Sequence, residues 1–233
     1  MNNLSIVLCS YNEALNIYPT LIKLTNKNFI KEIIIIDDNS TDGTIKLINE
    51  FNDPKINLIV RKKESGFASA FIKGINLATG KYILRFDFDM HDDINFFLEN
   101  FLLIEKSVDL LIFSRYVDYG SDERSIYRNI PSYTLNLVCR FFLSNKVKDY
   151  TSCIMILKKS LLSECYPKQT NYANFIIEFV YDVIIKKKNI KEIGFIQKKK
   201  TENNSKSAPN ILKFFLNGLL YFSTIFKCFF KKK

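Results

Sequence analysis

Two carboxylates and a histidine alternate directly after a short apolar run. Tyr82 to Phe86 leads into Asp87, Asp89 and His91, which is the single histidine of the chain. On an extended backbone, side chains at positions i, i+2 and i+4 point the same way, so we expect these three groups to converge. Carboxylate oxygens suit Mg²⁺ or Mn²⁺, whose remaining ligands are commonly water and substrate phosphates. The spacing predicts a metal site that holds a diphosphate; the alternative is a solvated acidic turn that caps the next helix.

Two earlier apolar runs also end in polar clusters. Leu4 to Ser10 leads into Tyr11-Asn12-Glu13, and Glu32 to Ile36 leads into the carboxylate-rich turn 37–43. Continuous apolar runs are typical of strands buried on both faces of a parallel sheet. In open parallel sheets the ligand binds beyond the carboxyl ends of the strands, so we expect the three polar clusters to share one edge. No G-x-G-x-x-G motif follows the first run, which disfavours a dinucleotide-binding protein.

The wider pattern predicts an α/β fold with a mostly parallel sheet flanked by helices, since strand-like and helix-like segments alternate four times within about ninety residues. The first helix is expected to reach Leu24 with Asn16 as its N-cap. A later helix is expected from Gly66 to Ala78, with Gly80 as its C-cap. The other predicted elements are helices over 44–51, 131–143 (with its proline at the start) and 173–187, and strands over 56–60, 109–114 and 153–157.

The tail differs from the rest of the chain because its polar residues recur along a single helix face. They are Lys213, Asn217, Tyr221, Thr224, Lys227 and Lys231, and most of the residues between them are Phe, Leu or Ile. Such a stripe predicts an amphipathic, basic helix over 208–233 that lies in a membrane interface without spanning it. Packing against a partner helix or against the protein's own core is the alternative. We expect one domain over 1–207 before it.

Composition narrows the class of protein and of partner. The 233 residues are 47% hydrophobic, which suits a packed globular domain. Five scattered cysteines without a C-x-x-C pair, and an N-terminal apolar run too short for a signal peptide, predict a reduced, cytoplasmic protein without zinc or disulfides. The net charge of +10 indicates a nucleic acid, an anionic membrane or a phosphorylated substrate as partner. Nucleic acid is disfavoured because the expected ligand edge is acidic.

Residues 4–93 resemble the family 2 glycosyltransferases of GT-A fold, and in particular the dolichyl-phosphate mannose synthase branch. The motifs that carry the resemblance are Ser10-Tyr11-Asn12-Glu13, Ile36 to Thr44, Gly66 to Gly74, Ala78-Thr79-Gly80 and Asp87-x-Asp89. The resemblance implies a nucleotide-sugar half over 1–93 and an acceptor half over 94–207. It places Tyr11, Glu13 and Asp38 at the base and ribose. The full set of nucleotide-sugar residues it implies is Ser10, Tyr11, Glu13, Asp38, Gly66, Asp87 and Asp89.

The resemblance also implies a metal and an acceptor. Asp87, Asp89 and His91 would hold Mg²⁺ or Mn²⁺, with Asp89 catalytic. Arg115, a second catalytic candidate, would bind the acceptor phosphate together with Ser132 and Lys200. The chain departs from the pattern of this branch at Tyr133 and Lys200, where an arginine is usual. A lysine lacks the two-pronged guanidinium with which arginine binds a phosphate. The implied reaction is inverting transfer of a hexose, mannose or glucose, from a GDP or UDP sugar to dolichyl or undecaprenyl phosphate at the cytoplasmic membrane face.

Two kinds of transferase are considered, and they differ in whether the acceptor group needs a general base. A phosphate monoester, with a second pKa near ~6, is mostly ionised at neutral pH and needs no general base. A sugar hydroxyl needs a carboxylate to take its proton. Segment 172–178 holds a single acid, Glu178, where relatives acting on sugars often carry a Glu-Asp pair, which favours the phosphate. A transferase acting on a glycan hydroxyl in surface polysaccharide or lipopolysaccharide synthesis is the alternative. A catalytically inactive interaction protein is disfavoured because both metal carboxylates are present.

Overall fold

The computed structural model describes residues 3–104, 107–168, 173–199 and 211–231, with the backbone alone over 211–217. The strands are β1 (Leu4–Ser10), β2 (Ile30–Asp37), β3 (Ile56–Val60), β4 (Tyr82–Arg85), β5 (Leu110–Ser114), β6 (Ser121–Asp122), β7 (Met155–Lys158), β8 (Ile190–Gly194) and β9 (Ile196–Gln197). The helices are α1 (Ala14–Thr25), α2 (Thr44–Glu50), α3 (Phe67–Leu77), α4 (Ile94–Leu102), α5 (Ile126–Phe142), α6 (Phe175–Ile185) and α7 (Ile211–Lys231). Short 3₁₀ helices cover Phe88–Asp93 and Lys159–Ser163.

The chain divides into two compact units whose bounds differ from the expected halves. The first comprises residues 1–110 and 153–164, and the second comprises 111–152 and 165–233. Residues 153–164 return to the first unit because β7 pairs with β4 in antiparallel register, Ile83 opposite Leu157. The second unit includes α7, which the sequence suggested as a separate segment.

The first unit is built on strands in the order β3-β2-β1-β4-β7, of which the first four are parallel. The side chains of β1 and β2 are buried on both faces, as in the run Ile33 to Ile36. Burial on both faces explains why these strands read as unbroken apolar runs. At Gly74 of α3 a Cβ would lie 2.4 Å from Val7 Cγ1, so the missing side chain lets α3 approach β1. The predicted parallel α/β sheet is confirmed for this unit.

Two local predictions in the first unit are wrong. The N-cap of α1 is Glu13 rather than Asn16, whose side-chain amide donates to the Glu13 carboxylate at 2.7 Å. Pro19 therefore lies within α1, beyond its first turn. Ala78 is the C-cap of α3, and Gly80 serves a different purpose. A Cβ on Gly80 would lie 2.6 Å from Ser5 Oγ, so glycine is needed there for a close approach to β1 and not for a left-handed turn.

The second unit contains β5 next to β8, the short parallel pair β6 and β9, and helices α5, α6 and α7. Helix α5 begins at Ile126, five residues earlier than predicted, and Pro131 lies inside it. Helix α6 is almost entirely buried, which fits its near-continuous apolar sequence. A helix in the tail is confirmed over 211–231. Within the described ranges, no helix combines the length and the apolar character needed to cross a bilayer.

Candidate active site

The three polar clusters lie at one edge of the first unit's sheet, as predicted. Ser10 at the end of β1 is opposite Asp37 at the end of β2, and the Asp38 amide donates to the Ser10 carbonyl at 3.0 Å. On the other side of β1, Arg85 at the end of β4 pairs with Val7. Parallel strands that end together present their last residues to the same crevice. The edge therefore carries a hydroxyl, several carboxylates and a buried arginine.

The acidic turn after β2 braces the loop after β1. Asp42 accepts hydrogen bonds from the Ala14 amide at 3.0 Å and from the Thr44 hydroxyl at 2.6 Å. The Thr44 hydroxyl in turn accepts from the Glu13 amide at 2.8 Å. Burial alone would raise the pKa of Asp42, but these hydrogen bonds to the hydroxyl and amides lower it. Asp42 and Thr44 are thus structural residues that hold the Glu13 and Ala14 backbone in place, a role that the sequence did not indicate.

Asp38 is bound on both carboxylate oxygens. The Arg61 guanidinium grips Oδ1, with Nε at 2.7 Å, and the Gly66 amide donates to Oδ2 at 2.7 Å. Arg61 is 4% exposed and also donates to the Ser69 hydroxyl at 2.7 Å and to the Gly66 carbonyl at 3.0 Å. The structure therefore brings together Asp38 and Gly66, two predicted nucleotide-sugar residues, through an arginine that sequence reasoning missed. Its only sequence signal is its position directly after β3.

The predicted residues of the loop after β1 are differently exposed. The Ser10 hydroxyl is buried and has no hydrogen-bond partner among the residues that the structure describes. A ligand or a water molecule that supplies a hydrogen-bond partner would stabilise this buried hydroxyl. The Tyr11 ring is half exposed, and the Glu13 carboxylate accepts from Asn16. These three residues offer a hydroxyl, an aromatic surface and a carboxylate to a ligand.

The extended backbone expected through Asp87, Asp89 and His91 is wrong beyond Asp87. Asp87 is extended, but Phe88 to Asp93 is a 3₁₀ helix, in which alternate residues no longer point the same way. His91 Nδ1 lies 3.2 Å from Asp92 Oδ1. Across the described ranges no three His, Cys, Asp or Glu side chains are grouped so that they could hold a metal ion. His91 as a third ligand stays a prediction.

The two carboxylates alone still fit a divalent metal. Asp87 binds the buried Arg85 through Oδ1 and remains 41% exposed. Arg85 also donates to the Cys153 carbonyl at 3.0 Å and stacks over the Phe67 ring at 4.4 Å, so the position of Asp87 is fixed. Mg²⁺ sites commonly use one or two carboxylates and complete their coordination with water and substrate phosphates. The donor set of Asp87 and Asp89 meets that requirement.

Arg115 in the second unit sits in a buried ion cluster. Asp149 binds its Nε at 2.8 Å and one Nη at 2.7 Å, and Asp122 lies 3.4 Å from the other Nη. Ser132 and Thr151 accept its remaining N–H groups at 3.0 and 2.7 Å. Burial disfavours the charge of Arg115, but Asp149 outweighs it and raises the pKa of Arg115. Burial alone would also raise the pKa of Asp149, but the Arg115 charge lowers it.

This cluster departs from the expected open phosphate-binding site. The structure does bring Arg115 and Ser132 together. However, all five N–H groups of Arg115 already have acceptors within the chain, so a phosphate would have to replace one of them. The two Nη1 contacts, to Ser132 and Asp122, are the longest and the most readily exchanged. Lys200, the third predicted acceptor residue, lies outside the described residues.

Glu178 is buried among lysines. Lys168 Nζ lies 2.5 Å from its carboxylate, Lys227 Nζ lies at 3.4 Å and Lys231 Nζ at 3.7 Å. Burial alone would raise the pKa of Glu178, but Lys168 and Lys227 lower it. A carboxylate stabilised in its charged form by several cations is a poor proton acceptor. The geometry therefore argues against Glu178 as the base that a hydroxyl acceptor would require.

The chain is similar to curated transferases and to a family profile. The profile described as glycosyl transferase family 2 matches residues 5–166. A dolichol-phosphate mannosyltransferase of Pyrococcus furiosus is 29% identical over 68% of this chain and 47% of its own length. The Saccharomyces cerevisiae dolichol-phosphate mannosyltransferase is 29% identical over 74% and 67%, and a dolichyl-phosphate beta-glucosyltransferase of Dictyostelium discoideum is 32% identical over 64% and 52%. The chain thus spans about half the length of two of these relatives.

Solved structures share the fold at low identity. Glucosyl-3-phosphoglycerate synthase from Mycobacterium tuberculosis in complex with UDP has a TM-score of 0.72 at 15% identity, covering 98% of this chain and 80% of that one. The same enzyme with Mg²⁺ and UDP has a TM-score of 0.69 at 16% identity, covering 97% and 79%. At such identities the likeness shows the fold alone. The GT-A α/β fold expected from the sequence is confirmed.

Proposed function

Because the chain belongs to glycosyl transferase family 2, we propose that it is an inverting, metal-dependent enzyme that transfers a hexose from a nucleoside-diphosphate sugar to a polyprenyl phosphate. The observation that carries the proposal is the gathering of Ser10, Asp38 and the Asp87–Asp89 pair at the carboxyl ends of adjacent parallel strands. That edge is where open α/β sheets bind nucleotides. Mannose and glucose are the favoured hexoses, since the similar proteins include mannosyl- and glucosyltransferases.

The donor nucleotide, a GDP or UDP sugar, would bind through the loops after β1 and β2. Tyr11 offers its half-exposed ring to the base, and Glu13 and Asp38 offer carboxylates to the base and ribose. Arg61 and Gly66 keep the Asp38 carboxylate in one orientation. A preorganised carboxylate loses little entropy on binding, which favours affinity for a nucleoside hydroxyl or N–H group.

Asp87 and Asp89 would hold Mg²⁺ or Mn²⁺ together with the donor diphosphate. Structures with the same fold contain Mn²⁺ or Mg²⁺ together with UDP. When bound, the metal would neutralise the charge that develops on the departing diphosphate. Arg85 fixes the orientation of Asp87. His91 would complete the site only after leaving its present contact with Asp92.

The acceptor is proposed to be dolichyl or undecaprenyl phosphate at the cytoplasmic face of a membrane, with the protein bound peripherally. An ionised phosphate attacks without a general base, and the pairing of Glu178 with three lysines leaves it unsuited to act as one. Arg115, Ser132 and Lys200 remain the proposed phosphate ligands. Arg115→Ala should weaken transfer and spare nucleotide binding, whereas equal loss of both would move Arg115 to the donor side.

The test is transfer of radiolabelled sugar from GDP-mannose and UDP-glucose to polyprenyl phosphate, with Mg²⁺ or Mn²⁺, followed by extraction of the labelled lipid. The full chain should form a glycolipid whose sugar has inverted anomeric configuration. Lys62→Met, at an exposed position, is the control for Asp89→Ala. Label that enters only a glycan hydroxyl would support the alternative transferase of polysaccharide or lipopolysaccharide synthesis instead.

A further inference from the structure

Over residues 218–231, helix α7 packs against α5 and α6 with Thr224, Lys227 and Lys231 directed toward α6. The Asn174 amide donates to the Thr224 hydroxyl at 2.8 Å, and Lys231 Nζ lies 2.6 Å from the Asp182 carboxylate. Lys227 reaches Glu178 from the same side. An amphipathic helix on a globular protein normally buries its apolar face, but of the apolar side chains described over 218–231 only Ile225 and Cys228 are buried. Its outward face carries the exposed apolar residues Leu219, Phe222, Phe226, Phe229 and Phe230.

Helix α5 presents a second apolar face to the outside. Its exposed apolar residues recur at steps of four, three, four and four, which places them along one side of the helix. They are Ile126, Ile130, Tyr133, Leu137 and Phe141. The opposite side of α5 carries Asn136 and Cys139, which are buried. The sequence had singled out the tail but not this stripe.

The two outward faces are continuous. The Phe142 ring of α5 packs against Phe226 and Phe229 of α7, with centroid distances of 6.4 and 5.8 Å. An apolar groove between the helices is lined by Val138, Phe142, Phe222, Ile225, Phe226 and Phe229. We name the joint outer surface of α5 and α7, made of these residues and the two stripes, the α5–α7 face. Contiguous apolar surface of this kind marks an interaction site in soluble proteins.

Charge indicates what covers the α5–α7 face. The second unit has 20 lysines and arginines and 8 aspartates and glutamates, a net charge of +12. The first unit has 14 and 16, a net charge of −2, so the excess positive charge of the chain belongs to the unit that bears the apolar face. Apolar surface on a basic unit is complementary to an anionic bilayer, which combines acyl chains with negative headgroups.

We propose that the α5–α7 face is a membrane-docking surface that lies in the interface of an anionic bilayer. The inference rests on the proposed function in one respect, since a lipid-borne acceptor makes the bilayer the expected partner. It assigns to α5 a share of the binding that the tail sequence alone would place in α7. It also assigns Lys227 and Lys231 to holding α7 against α6, because both already pair with buried acids.

The test compares two double variants of the full chain on vesicles of equal parts phosphatidylcholine and phosphatidylglycerol. Ile130→Glu/Phe141→Glu places charges on the α5–α7 face at side chains that are 57% and 84% exposed. Leu102→Glu/Leu103→Glu, at 62% and 78% exposure on the first unit, is the matched control. Vesicle co-sedimentation should fall by about ten-fold or more for the α5 variant and change little for the control. Circular dichroism and nucleotide binding should match the wild type in both.

Three outcomes would overturn the proposal. Equal vesicle binding by the α5 variant and the wild type would remove α5 from the surface, and equal binding to pure phosphatidylcholine would remove the electrostatic argument. A wild-type dimer in lipid-free solution that the α5 variant converts to a monomer would identify a second copy as the occupant. Transfer to a soluble short-chain prenyl phosphate should be the same for the wild type and the α5 variant. Vesicle binding without any such transfer would refute the proposed function and leave the surface standing.

Discussion

The pair between Arg61 and Asp38 allows the most direct test of how the donor edge is held. Arg61 is almost fully buried, and the Asp38 side chain is 13% exposed. Replacing Arg61 with methionine keeps the volume of its stem but leaves the Asp38 carboxylate with the Gly66 amide as its one remaining partner among those described here. Breaking a buried pair from one side typically costs about 3–5 kcal/mol, because the other charge is left uncompensated. We expect Arg61→Met to lower the free energy of unfolding by that amount.

A double-mutant cycle measures the interaction energy between Arg61 and Asp38, apart from what each side chain contributes alone. Asp38→Asn also leaves a buried charge without its partner, whereas the double variant Arg61→Met/Asp38→Asn removes both charges. The cost of the double variant should therefore fall short of the summed single costs by about 2–3 kcal/mol. Arg61→Lys should recover only part of the loss, because a lysine cannot reach Asp38, Ser69 and the Gly66 carbonyl together.

The assays are urea unfolding for stability and calorimetry with UDP and GDP for binding. Lys62→Met, one residue along and exposed, is the control and should change neither measurement. Nucleotide affinity should fall in Arg61→Met, since Asp38 loses its fixed orientation, and should stay low in the double variant. Single costs that add to within about 0.5 kcal/mol of the double cost would refute the view that this pair organises the edge.

Three further predictions concern the metal, the acid stability and the packing. Asp89→Ala should abolish transfer while leaving the urea midpoint unchanged, and a chelator should abolish transfer by the wild type. His91→Ala should reduce transfer less than Asp89→Ala does. Turnover by Asp89→Ala at the wild-type rate would contradict the metal role. Because the folded-state pKa of Asp149 is lowered, its contribution to stability is complete above the unfolded carboxyl pKa of about 3.9 and is lost as pH falls below it. Asp149→Asn should be less stable than the wild type at neutral pH and should lose less stability in acid. Urea unfolding at several pH values would measure both effects. A loss of stability in acid as steep as that of the wild type would show that Asp149 is not the group responsible. Gly80→Ala should cost about 1–3 kcal/mol by urea unfolding, since its Cβ would meet Ser5 Oγ at 2.6 Å, and an unchanged midpoint would rule out that clash.

Local sequence was sufficient for the parallel half of the fold. The apolar runs of β1 and β2 match their predicted bounds closely, because a strand buried on both faces can hold few residues besides aliphatic ones. The shared edge of the polar clusters followed from the same pattern, since parallel strands end together. The motif Asp37 to Gly43 was recognised from the sequence, although only the tertiary structure distinguishes Asp42, which braces a loop, from Asp38, which is held by Arg61.

Contacts distant in sequence decided the rest. No local pattern reveals that Arg61 pairs with Asp38 or that the Arg115 guanidinium donates to Asp149. Each pair forms only when separate elements of the fold come together. The backbone after Asp87 could be extended or 3₁₀, because the residues there permit both.

The tail shows most clearly what the spacing of residues along a helix leaves undetermined. Amphipathic spacing determines that a helix has a polar and an apolar face, but which face turns inward depends on the surface that it meets. Buried acids at Glu178 and Asp182 bind the lysines of α7 and so turn its aromatic face outward, because an unpaired buried carboxylate costs more free energy than exposed apolar surface.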